Sequence, residues 1–441
     1  MSFKSFLCSY IFMMLAVIHT QAQKSTPLFT LLKPDATGIR FTNKVREDDS
    51  LHVLVYEYLY NGHGIGIADF NNDGLQDVFI SGNATPNKLF LNKGALKFDD
   101  ITKVASVAGN GTWSTGVSIA DVNGDGLADI YVCHSGKYKD SKLSNELFIN
   151  TGVTDGKPTF KEQAKLYGLD APGTQSTQAA FFDYDRDGDL DMFLLNHSTN
   201  TYYAFLNTRK QRATPDLRYG NRLFRNDRQV DGSTIFTDVT LQAGIVNNPL
   251  NYGLSVNISD LNQDGWPDIY TTSDYSEHDC YYVNNKNGTF TQSLQKSFSH
   301  ISKFSMGADI ADFNNDALPD VFTLDMLPAD NHRQKLLKGP DEYDAYHLLL
   351  DSGYYRQNMR NMLQLNRGAD AQGNVRFSEI GQFANVSNTD WSWAGLFADL
   401  DSDGWKDLVI TNGYLRDFTD LDFLKYTMAD AQLQAAAKGN L

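Results

Sequence analysis

The sequence predicts an all-β fold of four-stranded blades stacked around an axis, a β-propeller, on two observations. An acidic nonapeptide recurs six times, and a second polar signature recurs behind it in phase. The nonapeptide reads acidic-x-Asn/Asp-x-Asp-Gly-x-x-Asp, as DFNNDGLQD from Asp69, DVNGDGLAD from Asp121, DYDRDGDLD from Asp183, DLNQDGWPD from Asp260, DFNNDALPD from Asp312 and DLDSDGWKD from Asp399. Successive copies are 52, 62, 77, 52 and 87 residues apart, one blade each with insertions in the longer intervals.

Each copy follows an apolar segment such as GIGIA or GVSIA and precedes a β-branched or aromatic run (VFIS, IYVC, MFLL, IYTT, VFTL, LVIT), so it joins the first two strands of a blade. The second signature, Asn-x-Leu-x-x-Asn-x-Gly in its fullest form, starts at Asn87, Asn145, Asn221 and Asn361, with a degenerate copy, YYVNNKNG, from Tyr281; it reads as the third strand. A fourth strand is led by Phe98, Phe160, Phe236, Phe290 and Phe377. A lone blade cannot bury its own faces, so neighbours must stack.

At the N-terminus, Lys4, the mostly apolar 6–18 and Thr20-Gln21-Ala22 before Gln23-Lys24 form a signal peptide over residues 1–22, too short in its apolar run to span a bilayer. The propeller occupies 25–441. Residues 29–39 (FTLLKPDATGI) resemble 236–245 (FTDVTLQAGI) and predict a stray outer strand. Five complete blades follow, then a sixth that supplies two strands around Asp399 before a helical segment at about 420–438; the ring is expected to be completed beyond Leu441. An insertion at about 325–362 carries helical patterning in 342–350 and 354–362, with Tyr343, Tyr346, Tyr354 and Tyr355, and is expected to pack on a blade rather than act as a lid.

Composition removes whole classes of function. A net charge of −16 has the wrong sign for a phosphate backbone, so no nucleic-acid partner is expected. Three cysteines at no metal or CxxC spacing exclude structural zinc and a disulfide scaffold; outside the leader, Cys133 and Cys280 read as free buried thiols. Nine histidines form no HExxH, and GxSxG and P-loop motifs are missing, so no catalytic residues are assigned. Arg209, Lys210, Arg212, Arg218 and Arg222 read as a solvated basic loop before an anion site. Trp391 and Trp393 read as packing between blades before a sugar platform.

The strong chemistry lies in the acidic loops. Oxygen-bearing side chains at positions 1, 3, 5 and 9, with a tight turn at position 6, wrap a hard cation, and calcium accepts six to eight oxygens in flexible geometry. The expected ligands, with the carbonyl of position 7, are Asp69, Asn71, Asp73, Leu75 and Asp77; Asp121, Asn123, Asp125, Leu127 and Asp129; Asp183, Asp185, Asp187, Asp189 and Asp191. The later loops offer Asp260, Asn262, Asp264, Trp266 and Asp268; Asp312, Asn314, Asp316, Leu318 and Asp320; Asp399, Asp401, Asp403, Trp405 and Asp407. Position 12 holds strand residues, which excludes an EF-hand. The loops contain 21 aspartates, so the acidity of the chain is largely metal-site charge, and up to six Ca2+ ions would offset most of it. Ala317 replaces glycine in the fifth loop, which is expected to be the weakest site.

These loops, with upstream segments such as TWSTGVSIADVNGDG and KFSMGADIADFNNDA, resemble the FG-GAP or VCBS repeats of integrin-α-type propellers. The segments FTLDMLPADNHRQKLLKGPDEYDAYHLLL and VSNTDWSWAGLFADLDSDGWKDLVITNGYLRDFTDLDF are similar to secreted bacterial members of the cartilage-acidic-protein-like family. The resemblance implies a seven-bladed calcium-binding propeller, of which this chain covers about six blades, often followed by an ASPIC/UnbV domain. Two functions are in view. The first is a secreted or cell-surface, non-enzymatic scaffold for an extracellular protein or glycan, the periplasm being an alternative location. The second is an exported enzyme acting on an extracellular polymer through a site in the propeller channel.

Overall fold

In the computed structural model, residues 27–428 are described, except 138, 140–141, 200–207, 230–232, 340–342, 372, 416 and 418. The signal-peptide reading lies outside the described residues, as does most of the expected C-terminal helix. The chain divides into two compact units, residues 1–37 and 38–441. The described part of the first unit holds one short helix, Pro34–Thr37. Residues 29–33 are not strand, so the expected stray outer strand is not formed there.

Among the described residues, the second unit contains five four-stranded antiparallel sheets in simple up-and-down order and one two-stranded antiparallel sheet, as the repeat predicts, with a further two-stranded parallel pair outside the blades. The first sheet comprises Ile65–Ala68, Asp77–Ile80, Lys88–Asn92 and Phe98–Asp100; the second, Trp113–Ala120, Asp129–Ser135, Glu146–Thr154 and Lys157–Glu162. The third is built from Ser176–Phe182, Asp191–Asn196, Arg222–Arg228 and Thr234–Asp238, and the fourth from Gly253–Ser259, Asp268–Ser273, Cys280–Asn284 and Phe290–Gln292. Ala308–Ala311, Asp320–Thr323, Met362–Ala369 and Val375–Glu379 form the fifth; Ser392–Ala398 and Asp407–Asn412 form the sixth.

One register recurs throughout. The ninth loop residue pairs with the residue just before the first, as in Ala68 with Asp77, Ala120 with Asp129 and Ala398 with Asp407. First strands of successive sheets stand side by side. Thr115 Oγ1 donates to the Ser176 carbonyl (2.7 Å), Thr177 Oγ1 to that of Gly253 (2.8 Å), and the Gly307 N–H to that of Trp393 (3.0 Å). The approach is close enough to require glycine: a Cβ on Gly116 would lie 2.4 Å from the Thr177 oxygen.

Apolar side chains fill the space between adjacent sheets. Tyr131, Leu147, Met192, Leu194 and Phe224 form one such cluster, and Phe193, Leu223, Val256, Ile269 and Tyr282 the next. Cys133 and Cys280 are free and buried within them, as expected. Outer edges repeat as well. A Cβ on Gly38 would meet the carbonyl of Phe98 as one on Gly168 would meet that of Phe236 and one on Gly244 that of Phe290. The resemblance of 29–39 to a fourth-strand segment therefore survives in the docking of Gly38, although the strand itself does not.

The 325–362 insertion forms helices Asn331–Leu337 and Tyr343–Asp351. The second matches expectation; the first was not anticipated, and 354–362 is not helical. Gly353, at φ +89°, ends the helix, and Tyr354 and Tyr355 are then tied down by Thr208 Oγ1 (2.8 Å) and the Phe298 carbonyl (2.7 Å). Thus held, Gln357–Asn358 run extended and pair in parallel with Ile301–Ser302. At the C-terminal end, Phe423–Met428 make a π-type turn.

Candidate metal loops and the opposite face

Each acidic loop is shaped by its own carboxylates. In the first, Asp69 accepts from the N–H groups of Asp73 (3.0 Å) and Gly74 (2.7 Å), and Asp73 from that of Leu75 (2.9 Å). The pattern recurs at Asp121 and Asp125, at Asp260 and Asp264, at Asp312 and Asp316, and at Asp399 and Asp403. The third loop keeps the contacts of Asp183 to Gly188 and Asp187 to Asp189. Ala317 is forced to φ +69° where the other loops place glycine.

The six loops divide by their third position. Asp183, Asp185 and Asp187 bring one carboxylate oxygen each within 4.8 Å of one another, as do Asp399, Asp401 and Asp403. In the third loop, Asp183 Oδ1 and Asp185 Oδ1 are also buried without a hydrogen-bond partner. An all-oxygen donor set with unsatisfied oxygens suits a hard cation such as calcium. Asn71, Asn123, Asn262 and Asn314 instead donate their side-chain N–H to the position-5 aspartate at 2.9–3.0 Å.

The ninth residue sits beneath its loop. Asp77, Asp129, Asp191, Asp268 and Asp320 are buried, whereas Asp407 is exposed. One oxygen of Asp129 accepts from the Val122 N–H (3.0 Å) and the other from the Asn150 N–H (2.8 Å), and equivalent pairs hold Asp77 and Asp191. Burial, then repulsion from the loop carboxylates, pushes these acids up, to about 7 for Asp129 and about 8 for Asp191.

The second signature now has a physical reason. Its second asparagine donates its backbone N–H to the position-9 aspartate and its side-chain N–H to a carbonyl of the preceding blade's loop. Asn150 reaches Phe70 (2.9 Å), Asn226 Val122 (3.4 Å), Asn284 Tyr184 (2.8 Å) and Asn366 Leu261 (3.0 Å). Its first asparagine caps the end of the second strand: Asn87 accepts from Gly82, Asn145 from His134, Asn221 from Asn196 and Asn361 from Asp325. In the fourth blade Asp279 does this, accepting from Ser273 (2.9 Å), so that copy begins at Asp279 rather than Tyr281. Counting five residues back from Asn284 would have found it.

At the opposite ends of the hairpins, residues 51–60 form a plug. Tyr56, Tyr58 and Leu59 are buried with Trp113 of the second blade and Tyr252 at the edge of the fourth, with Tyr414 packed against them. Tyr56 hydrogen-bonds Ser135 (2.8 Å), Tyr58 donates to Asp274 (3.2 Å) and packs edge-on to His197 at 4.8 Å, and Tyr275 donates to Glu57. Burial raises Asp274 to about 7 and lowers His197 to about 4. The sequence reading missed these groups because their positions do not repeat from blade to blade.

A cavity of about 1220 Å3 opens beside the plug, lined by Glu57, Asp274, both insertion helices, and Trp391, Trp393 and Tyr414. Trp391 also packs with Met306, Phe322 and Leu324, so interblade packing and a cavity wall coincide in one residue. The basic segment is structural where its partners are described. Arg212 pairs with Glu277 (2.9 Å) and lies over Tyr354, and Arg222 pairs with Asp238 (2.7 Å).

A family model of FG-GAP-like repeats matches residues 69–132 and 260–323. Cartilage acidic protein 1 of Xenopus tropicalis is 27% identical over 209 residues, covering 47% of this chain and 28% of that protein. Its Homo sapiens counterpart is 26% identical over 239 residues, 54% of this chain and 32% of that protein. The matches thus span about a third of these relatives' length. A solved Agrocybe aegerita lectin, which recognises non-reducing terminal N-acetylglucosamine, aligns with 78% of this chain and 73% of its own at 16% identity and a TM-score of 0.43. No helix among the described residues is long and apolar enough to cross a membrane.

Proposed function

We propose, for a chain that belongs to the FG-GAP-repeat proteins, that it is a secreted or cell-surface binding scaffold whose blades are held by calcium. The observation that carries this is the third loop, with its three convergent carboxylates and two buried, partnerless oxygens. There Asp183, Asp185, Asp187 and Asp191 with the Asp189 carbonyl would hold the ion, and the other five loops would follow in register. Bound calcium would supply positive charge between carboxylates that otherwise repel. At an affinity of about 0.1 mM and ambient calcium of about 1 mM, linkage contributes roughly 1.4 kcal/mol per site. Thermal melting in calcium, in excess chelator and in magnesium tests this. A rise with calcium, reversed by chelator and not reproduced by magnesium, is expected; identical melting in all three would overturn it.

A second reading, an exported enzyme on an extracellular polymer, is favoured by one observation: Asp274 and Glu57, neither in a metal loop, line the open-face cavity. Asp274 already accepts from Tyr58 and from the Tyr275 N–H (2.7 Å), which suits a structural role, and so the scaffold is preferred. Release of reducing ends from polysaccharides, abolished by Asp274→Asn, would reverse that preference.

A further inference from the structure

We infer that the open-face cavity is the ligand site of the scaffold and that its ligand is a neutral oligosaccharide. The inference rests on the scaffold reading above but uses none of the metal loops. At about 1220 Å3 the cavity exceeds the roughly 300–1,000 Å3 typical of small-molecule pockets, which leaves room for more than one ring.

Its sixth-blade wall is an aromatic platform. Trp391 stacks on Tyr414 with centroids 4.2 Å apart and planes at 21°, and Tyr414 on Trp393 at 6.2 Å and 13°. Flat π faces carry negative charge and attract the weakly positive C–H face of a pyranose ring. Trp391 is also 7% exposed, yet its indole N–H has no partner. A buried donor left unsatisfied is costly, and a ligand oxygen would relieve it.

Across the cavity, Gln334 and Gln357 are pinned through their side-chain N–H groups to the carbonyls of Pro328 (2.6 Å) and Ser276 (3.0 Å). Pinning leaves each amide oxygen as an acceptor for a hydroxyl. The lining carries charges of both signs, Glu57 and Asp274 with Lys303 and Lys338, while Arg360 is paired with Glu379 at 3.1 Å. No field of one sign selects a charged ligand. A purely apolar ligand would desolvate the indole N–H and both amides without compensation.

The test is calorimetric titration of the chain with cellotetraose, xylotetraose, mannotetraose and chitotetraose, beside anionic tetragalacturonate. Binding of at least one neutral sugar is expected. Trp391→Phe, which keeps a ring but removes the N–H, should weaken it about tenfold. Trp393→Ala, at a less buried ring, should weaken it about fivefold. Loss of neither affinity, binding of tetragalacturonate alone, or no binding by a chain that still melts cooperatively would overturn the inference. In the last case a retained calcium response in the melt would leave the scaffold reading standing, so the two fail separately.

Discussion

At the loop end of the blades, each of the five complete units places a buried carboxylate under the turn and an asparagine N–H against it, whereas at the other end the cap on the second strand recurs but the residues beyond it differ from blade to blade. Six residues past that carboxylate stand Asn83, Ser135, His197, Asp274, Met326 and Gly413 in turn. The loop end solves one problem, closing a hairpin around clustered negative charge, and so it repeats. The open end carries the plug, the insertion with its two helices and the cavity, each built once. Repetition marks where the fold is secured, and irregularity marks the face on which the proposed ligand site lies.

The comparison breaks most readily at the plug. Tyr58→Ala removes a buried ring and should cost about 3–5 kcal/mol in chemical denaturation while leaving the proposed calcium-induced rise in melting temperature intact. A lost calcium response would show that the two faces are not separable. At the loop end, Asp129→Ala strands the N–H groups of Val122 and Asn150 and should cost about 2–4 kcal/mol. The exposed Asp407→Ala, measured in the same assay, should cost under about 1 kcal/mol. Equal costs would mean that burial of the ninth residue is immaterial.

Proton linkage sharpens the contrast within the open face. Asp274 is raised from 3.8 to about 7 by burial and then by the nearby Asp325 and Glu57 carboxylates, so its contribution is present below 3.8 and lost as pH rises toward 7. His197, lowered from 6.5 to about 4 by burial against Tyr56 and Tyr58, contributes above 6.5 and loses that contribution as pH falls toward 4. Asp274→Asn should therefore flatten the loss of stability between pH 4 and 7 in denaturation series; an unchanged slope would remove Asp274 from the account. The smallest effect belongs to the fifth loop. Ala317→Gly relieves a left-handed alanine and should raise stability by about 1 kcal/mol, read from the urea midpoint, with tighter calcium binding at that loop.

Period and spacing made the loop end legible. Five residues of one nonapeptide place the hairpin, its register and the candidate ligands, because the same turn geometry is demanded each time. Asp279 stayed hidden only because an acid replaced asparagine in an otherwise matching position. The open end was opaque for a different reason. Tyr58, Asp274 and Trp391 are separated by more than a hundred residues each and meet only when the blades are arranged around the axis. Similarly, 354–362 carries helical patterning, yet tethers at Tyr354 and Tyr355, set by distant segments, hold it extended.

The asparagine that bridges neighbouring loops carries one more consequence. Because Asn150, Asn226, Asn284 and Asn366 each touch both their own position-9 carboxylate and the preceding turn, none of the first five loops can relax alone. If the turns hold calcium as proposed, ion loss from one turn would loosen the anchor of the next, and occupancy should behave as a one-dimensional cooperative chain. Titrating those ions away would then produce a steep collective transition, sensitive to small changes in ambient calcium, in place of five independent shallow ones.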